Sequence, residues 1–366
     1  MTIILMKGFN FPIFKTKVHG VTERFRLEDP VGRRRYFEAK AGKEIELLRD
    51  YLRTNTFLGI LLGPKNAGKG TYTKLLMELF GEDRIVHVSV GDIVRDAREE
   101  LSDPAKRDAL VTFLKDRYRG FVDVAEIPDL IEGHKTEKLL PSEAILTLIE
   151  RKISRIGRKT IFIDGFPRDL DQISYALYFR ALMGYRDDPD VFVFIDVSEA
   201  VIDERMKYRV ICPLCRSPRN TKLFRTKDIG YDESKSEFYL ICDNPRCEGF
   251  GASRMVGKEG DELGIEAVRP RVEKDQRVME MLMGLHGVPK IYLRNSVPVA
   301  EAKENIDDYE ITPAYRYEVG DGGTVRVIEE PWTVTDDNGV EVYSLLAPPV
   351  AVALIKQLAR ALGLLS

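Results

Sequence analysis

The stretch that decides the fold is GPKNAGKGT, residues 63–71. Gly63, four residues, then Gly68 and Lys69 match the outline of a phosphate-binding loop. The usual pattern puts Ser or Thr directly after the lysine. Here Gly70 follows, and the hydroxyl comes one residue later, at Thr71. Before the loop, FLGILLG (57–63) is a short apolar run ending in glycine, which reads as a buried parallel strand. After it, KGTYTKLLMELFG (69–81) reads as a helix stopped by Gly81. Strand, glycine loop and helix are the context a phosphate site needs. Glycines let backbone N–H groups approach an anion, and the helix adds the positive end of its dipole. Lys69 supplies a mobile charge for the outer phosphates. Asn66, mid-loop, is the residue next best to glycine at positive φ. The plainer alternative is a tight glycine-rich turn with a solvated lysine.

Working outward, RIVHVSV (84–90), TIFIDGF (160–166) and VFVFIDV (191–197) predict further short strands. Helical segments separate them, at 142–157 and 170–183, and GKEIELLRDYLRT (42–54) predicts a helix ahead of the first strand. Strands alternating with helices imply an α/β protein with a parallel sheet. Residues 1–40 are basic and aromatic-rich with weak periodicity, which predicts an irregular extension with short strands. Residues 210–260 break the rhythm and read as a small inserted domain. Near the end, RYEVGDGGTVRVIEE (316–330) and WTVTDDNGVEVYSLL (332–346) each alternate around a Gly-rich or Asn-Gly turn, which predicts two hairpins. A last helix, 349–363, should pack back on the core. There is no internal repeat and no low-complexity tract.

A chain of 366 residues predicts two or three sub-domains. Its net charge of −3, with both signs interspersed, argues against a general nucleic-acid or membrane-surface binder. No stretch reaches the ~18 uncharged apolar residues that span a bilayer. MTIILMKGF is too short and is interrupted by Lys7, so no signal peptide is expected and the expectation is a soluble, cytoplasmic protein. Four cysteines all lie between 212 and 247, as CPLC (212–215) and CDNPRC (242–247). Two turns each presenting a thiolate pair suit a tetrahedral zinc site. The alternative is four reduced structural cysteines.

FIDGFPRDLDQ (162–172) carries Asp164 at the end of a buried strand, where an acid can hold magnesium through water. Otherwise it caps the next helix. Arg168 would face the same crevice. VSVGDIVRD (88–96) puts Gly91, Asp92 and Arg95 at a helix start, a weak signal alone. The histidines, His19, His87, His134 and His286, are scattered and suggest no catalytic role.

Taken in order, GPKNAGKGT, SVGDIVRD, KLLPSE (138–143), DGFPRDLDQ, ERMKYR (204–209) and VRPRV (268–272) resemble the nucleoside monophosphate kinase family, and most of all adenylate kinases with a zinc-bearing lid. The resemblance covers roughly residues 56–310. Its loop has glycine after the lysine and threonine next, so the opening irregularity is a family feature. It implies a P-loop NTPase-type parallel sheet flanked by helices, with an inserted monophosphate-binding segment and a zinc-ribbon-like lid. The expected division is an extension at 1–55, a kinase core at 56–88, 146–209 and 263–310, an enlarged monophosphate segment at 89–145, a lid at 210–262, hairpins at 311–348 and a helix at 349–366. The enlargement, at 96–137, includes LVTFLKDRYRGFV (110–122), read as an amphipathic helix.

The same resemblance implies that Gly63, Asn66, Gly68, Lys69, Gly70, Thr71 and Arg205 bind ATP with Mg²⁺. Ser89, Val90, Arg95, Lys138, Leu140, Gly165, Arg168 and Gln172 would bind the monophosphate. Lys69, Asp164, Arg168, Arg205, Arg209 and Arg271 would surround the transferred phosphoryl group, joined by Lys258 or Arg254 from the lid. Cys212, Cys215, Cys242 and Cys247 would hold Zn²⁺. Gln172 matches the glutamine that reads adenine and implies AMP as acceptor. Val90 departs from the usual threonine, and a UMP/CMP kinase is the near alternative. A nucleotide-gated RNA-binding zinc protein is the alternative from another class. The extensions read as padding on a monomer or as a dimer contact.

Overall fold

A computed structural model describes residues 9, 11–133, 140–177, 188–258, 260–320 and 324–365, with 175–177 in backbone only. At its centre is a five-stranded, all-parallel sheet in the order β10–β4–β1–β3–β2. The strands are β1 (Leu58–Leu62), β2 (Ile85–Ser89), β3 (Thr160–Asp164), β4 (Asp190–Asp196) and β10 (Lys290–Arg294). β1 is buried along its whole length, as expected of a strand covered on both faces. Leu61 pairs with Asp164, and Asp164 with Ser89, so these residues meet at the carboxyl edge, where ligands bind in such sheets. The edge strand β10 escapes sequence reading because only Ile291 and Leu293 of KIYLR are fully buried.

The segment before the sheet is more regular than its sequence suggests. Residues 11–29 form no strand, and the first helix, α1, runs Pro30–Thr54 rather than 42–54. Asp29 caps it by accepting from the Gly32 N–H, and Pro30 starts it, an entry signal that the Arg33–Arg35 run obscures. Ala41 (φ −148°, ψ 25°) kinks α1, which is why apolar periodicity is visible only beyond it. Tyr36, Phe37, Ile45, Leu48 and Leu52 of α1 are buried in one core with the last helix, α11 (Ala347–Ala361). That helix packs back on the core as expected, burying ten of its fifteen residues.

After the loop come α2 (Lys69–Phe80) and the helices α3 (Val90–Ser102), α4 (Pro104–Arg117), α5 (Ile127–Glu132) and α6 (Ser142–Ser154). The helix expected at 110–122 is therefore shifted. Asp103 caps α4, Pro104 opens it, and it stops before Tyr118 and Gly120, with only Leu110 and Leu114 buried. Then follow α7 (Asp171–Leu177) and α8 (Glu199–Lys207). Residues 178–183 of the helix expected at 170–183 lie outside the described residues.

The cysteine module contains β5 (Arg209–Ile211) between β6 (Pro218–Asn220) and β9 (Val256–Gly257), and a hairpin of β7 (Ile229–Asp232) and β8 (Glu237–Leu240). Beyond it lie α9 (Arg269–Met283), β11 (Ser296–Pro298) and α10 (Val299–Asn305). Both expected hairpins form, as β12 (Pro313–Val319) with β13 (Val325–Pro331), and β14 (Thr333–Thr335) with β15 (Glu341–Ser344). β15 also pairs with β11, which stitches the C-terminal extension onto the sheet domain. β12 grips the cysteine module. The Tyr315 N–H donates to the Lys222 carbonyl at 2.7 Å, the Tyr317 hydroxyl donates to the Thr221 carbonyl at 2.5 Å, and the Tyr317 ring lies 5.6 Å from that of Phe238.

Candidate active site

The loop between β1 and α2 has the conformation its glycines permit. Gly68 sits at φ +95° as the N-cap of α2, and a Cβ there would lie 2.9 Å from the Tyr72 ring. Asn66 takes φ +66°, as its residue type suggests. Lys69 Nζ donates to the carbonyls of Gly63 (2.6 Å) and Pro64 (2.9 Å) and lies 3.5 Å from Asp164 Oδ1. Burial draws the Lys69 ammonium below its usual range, and Asp164 opposes that shift.

A pocket of about 310 Å³ opens beside the loop, lined by Gly63, Lys69, Asp164, Gly165, Arg168 and Arg271 among others. The sequence-derived residues Lys69, Asp164, Arg168 and Arg271 thus come together although they belong to α2, β3, the loop after β3 and α9. Arg168 Nε is buried without a hydrogen-bond partner among the described residues. Burial, and then the neighbouring Arg271, draw the Arg168 guanidinium below its ordinary value. An unpaired, electropositive fork of this kind is complementary to phosphate oxygens.

Two acidic or basic neighbours were not singled out from the sequence. Asp275, four residues after Arg271 on α9, lines the same pocket. Burial pushes its carboxyl up, against the pull of Lys69, Arg271 and Arg168. The only sequence signal was an i,i+4 pair with Arg271, which is usually a surface feature. His87 on β2 places Nε2 4.0 Å from Asp164 Oδ2, and that nitrogen is buried with no hydrogen-bond partner among the described residues. Burial holds the imidazole below its usual pKa.

Arg205 and Arg209 project from the end of α8 and the start of β5 onto the loop, outside the pocket lining. Arg205 Nη1 donates to the Asn66 carbonyl (2.9 Å), and Arg209 Nη1 donates to Asn66 Oδ1 (3.2 Å). Arg209 also forks onto Asp261, a buried acid in the module's closing loop. Arg254 is committed elsewhere, pairing with Asp232 at 2.9 Å and lying 4.3 Å over the Tyr239 ring. Lys258 is exposed and close enough to Lys65 to add to the effect of burial in lowering that ammonium.

Among the residues expected to take the monophosphate, Ser89 caps α3 by accepting from the Asp92 N–H, and Val90 is buried at the helix start. Gly165, at φ +86°, leaves room for the Arg168 guanidinium, which a Cβ would meet at 2.3 Å. The buried Gln172 amide accepts from the Arg168 N–H (2.9 Å) and donates to the Ser142 hydroxyl (3.0 Å). Leu140 is half-buried nearby in the core formed by α3 and α6. Arg95 is exposed and pairs with Asp92 at 2.8 Å, so it is not gathered into the pocket. Lys138 lies outside the described residues.

The four cysteines converge. Cys212 Sγ lies 3.7 Å from Cys247 Sγ, Cys215 Sγ lies 3.7 Å from Cys242 Sγ, and all four sulfurs fall within 4.8 Å of one another. A tetrahedron of bonds of about 2.3 Å to a central ion has sulfur–sulfur edges of about 3.8 Å, so the donor set fits such a metal. The Ser217 hydroxyl and N–H draw the Cys215 thiol down to about 5, whereas burial pushes Cys242 up to about 12. Four thiols this close share ionisation unevenly until a cation balances them.

No family model matches the chain. Individual relatives do. The adenylate kinase of Thermotoga petrophila is 31% identical over 226 residues, covering 60% of this chain and 83% of that protein. The adenylate kinase of Petrotoga mobilis is 28% identical over 242 residues, 66% of this chain and 83% of the relative. That of Thermotoga neapolitana is 26% identical over 234 residues, 59% of this chain and 94% of the relative. With a parallel sheet, a phosphate-type loop and arginines converging on it, the chain belongs to the adenylate kinase family of phosphotransferases.

Proposed function

We propose that the protein transfers the γ-phosphoryl group of MgATP to AMP, giving two ADP. The observation that carries this reading is the meeting of Lys69, Arg168 and Arg271 with Asp164 in one pocket beside the loop. Phosphoryl transfer through a loose transition state needs alignment and charge neutralisation more than a base. On this reading the loop from Gly63 to Thr71 holds the donor phosphates, and Lys69 turns from the loop carbonyls toward them. Asp164 holds Mg²⁺ through water, an ion that kinases use with ATP. Arg168 and Arg271 face the transferred group. Arg205 and Arg209, anchored on Asn66, complete the donor side, with Lys258 rather than Arg254 as the module's contribution. Ser89, Val90, Gly165 and Gln172 form the monophosphate side.

Zn²⁺ is the metal we assign to the four thiols, in a structural role because protein fills every position. The module then serves as the lid over ATP, excluding water so that the phosphoryl group reaches the acceptor rather than solvent.

Gln172 supports AMP as acceptor. Its amide is oriented by Arg168 and Ser142 on the floor of the monophosphate side, and an amide can both donate and accept toward one base edge. A coupled assay with AMP, CMP, UMP, GMP and dTMP tests the reading. AMP should turn over fastest. Faster UMP or CMP turnover would replace AMP as acceptor, and hydrolysis indifferent to any monophosphate would overturn the kinase reading.

A further inference from the structure

Arg205 has no carboxylate within ion-pair reach among the described residues, and burial lowers its pKa. What holds it is a network that leads into the C-terminal extension. Arg205 Nη2 donates to Asn295 Oδ1 at 3.1 Å. The same oxygen accepts from the Ser344 hydroxyl at 3.0 Å. Asn295 Nδ2 donates to the Tyr72 hydroxyl (3.3 Å) and to the Leu345 carbonyl (3.2 Å). Its backbone N–H donates to the Asp196 carbonyl (3.1 Å) at the end of β4, and its carbonyl accepts from the Leu345 N–H (2.9 Å). Asn295 is 2% exposed and Ser344 0%. Every donor and acceptor of Asn295 is therefore used, and its amide can take one orientation only.

Ser344 ends β15, and Ser296 beside Asn295 pairs with it across the β11–β15 ladder. At the other end of the network, Arg205 Nη1 donates to the carbonyl of Asn66, the left-handed asparagine of the loop between β1 and α2. Tyr72, the third partner of Asn295, packs under Gly68 of the same loop. One buried amide thus joins the extension's last strand to both the loop and the arginine lying on it.

We infer that Asn295 and Ser344 are positioning residues of the donor site: they hold the Arg205 guanidinium against the loop in the pose that receives ATP, making the C-terminal β-extension part of the nucleotide site. This rests on the donor-side role proposed for Arg205. A guanidinium without a counter-charge must be held by neutral acceptors, and a half-buried one loses little entropy when ligand arrives if it is already fixed.

The test is steady-state kinetics of the full chain with ATP and AMP varied separately, for Asn295→Ala, Ser344→Ala, Arg205→Ala and each pair with Arg205→Ala, alongside thermal melts. Asn295→Ala should raise the KM for ATP about tenfold, or about 1.4 kcal/mol, and leave the KM for AMP within about twofold. Ser344→Ala, which removes one hydroxyl, should raise it about threefold. On the Arg205→Ala background neither change should add more than about twofold, because residues acting through one group are not additive. Effects that multiply, or an unchanged KM for ATP in both single variants, would show that the network only fastens the extension. If Arg205→Ala itself leaves the KM for ATP unchanged, the donor-side role fails and the inference with it, whereas an effect of Arg205→Ala alone overturns only the positioning. Should Asn295→Ala not fold, Ser344→Ala and its pair decide the matter alone.

Discussion

Arg209 and Asp261 form a two-pronged ion pair, with Nε donating to Oδ2 at 2.5 Å and Nη2 to Oδ1 at 2.7 Å, while the third nitrogen reaches Asn66 on the loop. One planar guanidinium thus ties the cysteine module to the phosphate loop. A lysine could reach only one of these groups at a time. Arg209→Lys should therefore lower kcat/KM for ATP at least tenfold, about 1.4 kcal/mol, with little change in melting temperature. Retention of full activity by Arg209→Lys would show that the fork has no part in turnover.

Burial pushes the Asp196 carboxyl up to about 7, with Arg294 pulling it down and Asp337 and Asp336 raising it further. Its folded pKa lies above the unfolded value near 3.9. Its contribution to stability is therefore fully present below about pH 4 and is lost as pH rises through 7. Asp196→Asn keeps an oxygen for the Phe9 N–H and removes the charge. The variant should match the wild type at pH 4 and exceed it at pH 8 by up to about 4 kcal/mol. Melting curves across that range check this; a gap that does not grow with pH would contradict the burial argument.

Loss of metal should act on one module. Among the described residues its own buried cluster is Cys212, Leu240, Cys242, Cys247 and Met255, so a bound ion would supply much of its folding free energy. Chelation or Cys215→Ser should loosen residues 210–258 and raise the KM for ATP while the parallel sheet stays folded. Elemental analysis with melts in the presence and absence of chelator is the check. Protein that holds no zinc, takes none up and melts identically with chelator would rule the site out.

Tyr317 packs against that same cluster from outside the module, through its ring and through its bond to Thr221. Tyr317→Ala should speed amide exchange across β7 and β8, by an opening free energy lower by about 1–2 kcal/mol, and leave exchange in β1 and β4 unchanged. Uniform exchange across both regions would mean that the hairpin does not brace the module.

What was legible in the sequence was local. The loop announced itself because glycine spacing, strand and helix sit within some twenty-five residues, and the positive φ of Asn66 follows from residue type alone. The thiol site was legible because its ligands come as two close pairs. Asp275, Asp261 and Asn295 were not, because each matters only through partners brought near by folding. Asp275 looks like half of a surface i,i+4 pair until α9 lays it beside Lys69. Asn295 lies in YLRNSV, which carries no motif, and gains its role when β15 arrives from about fifty residues away. The start of α1 was hidden by the kink at Ala41, and α4 by a face that buries only two leucines.

The central claim is that the pocket beside the loop is where the phosphoryl group moves, and Lys69 is its most direct probe. Lys69→Met keeps the length of the side chain and removes the charge that now lies 3.5 Å from Asp164. Loop backbone and helix dipole remain, so the protein should fold and still bind ATP. Measured as AMP-dependent ADP formation at saturating MgATP, its kcat should fall well over a hundredfold, more than about 2.7 kcal/mol. A Lys69→Met enzyme that keeps more than about a tenth of wild-type kcat, a loss below about 1.4 kcal/mol, would contradict the assignment of this loop as the donor site.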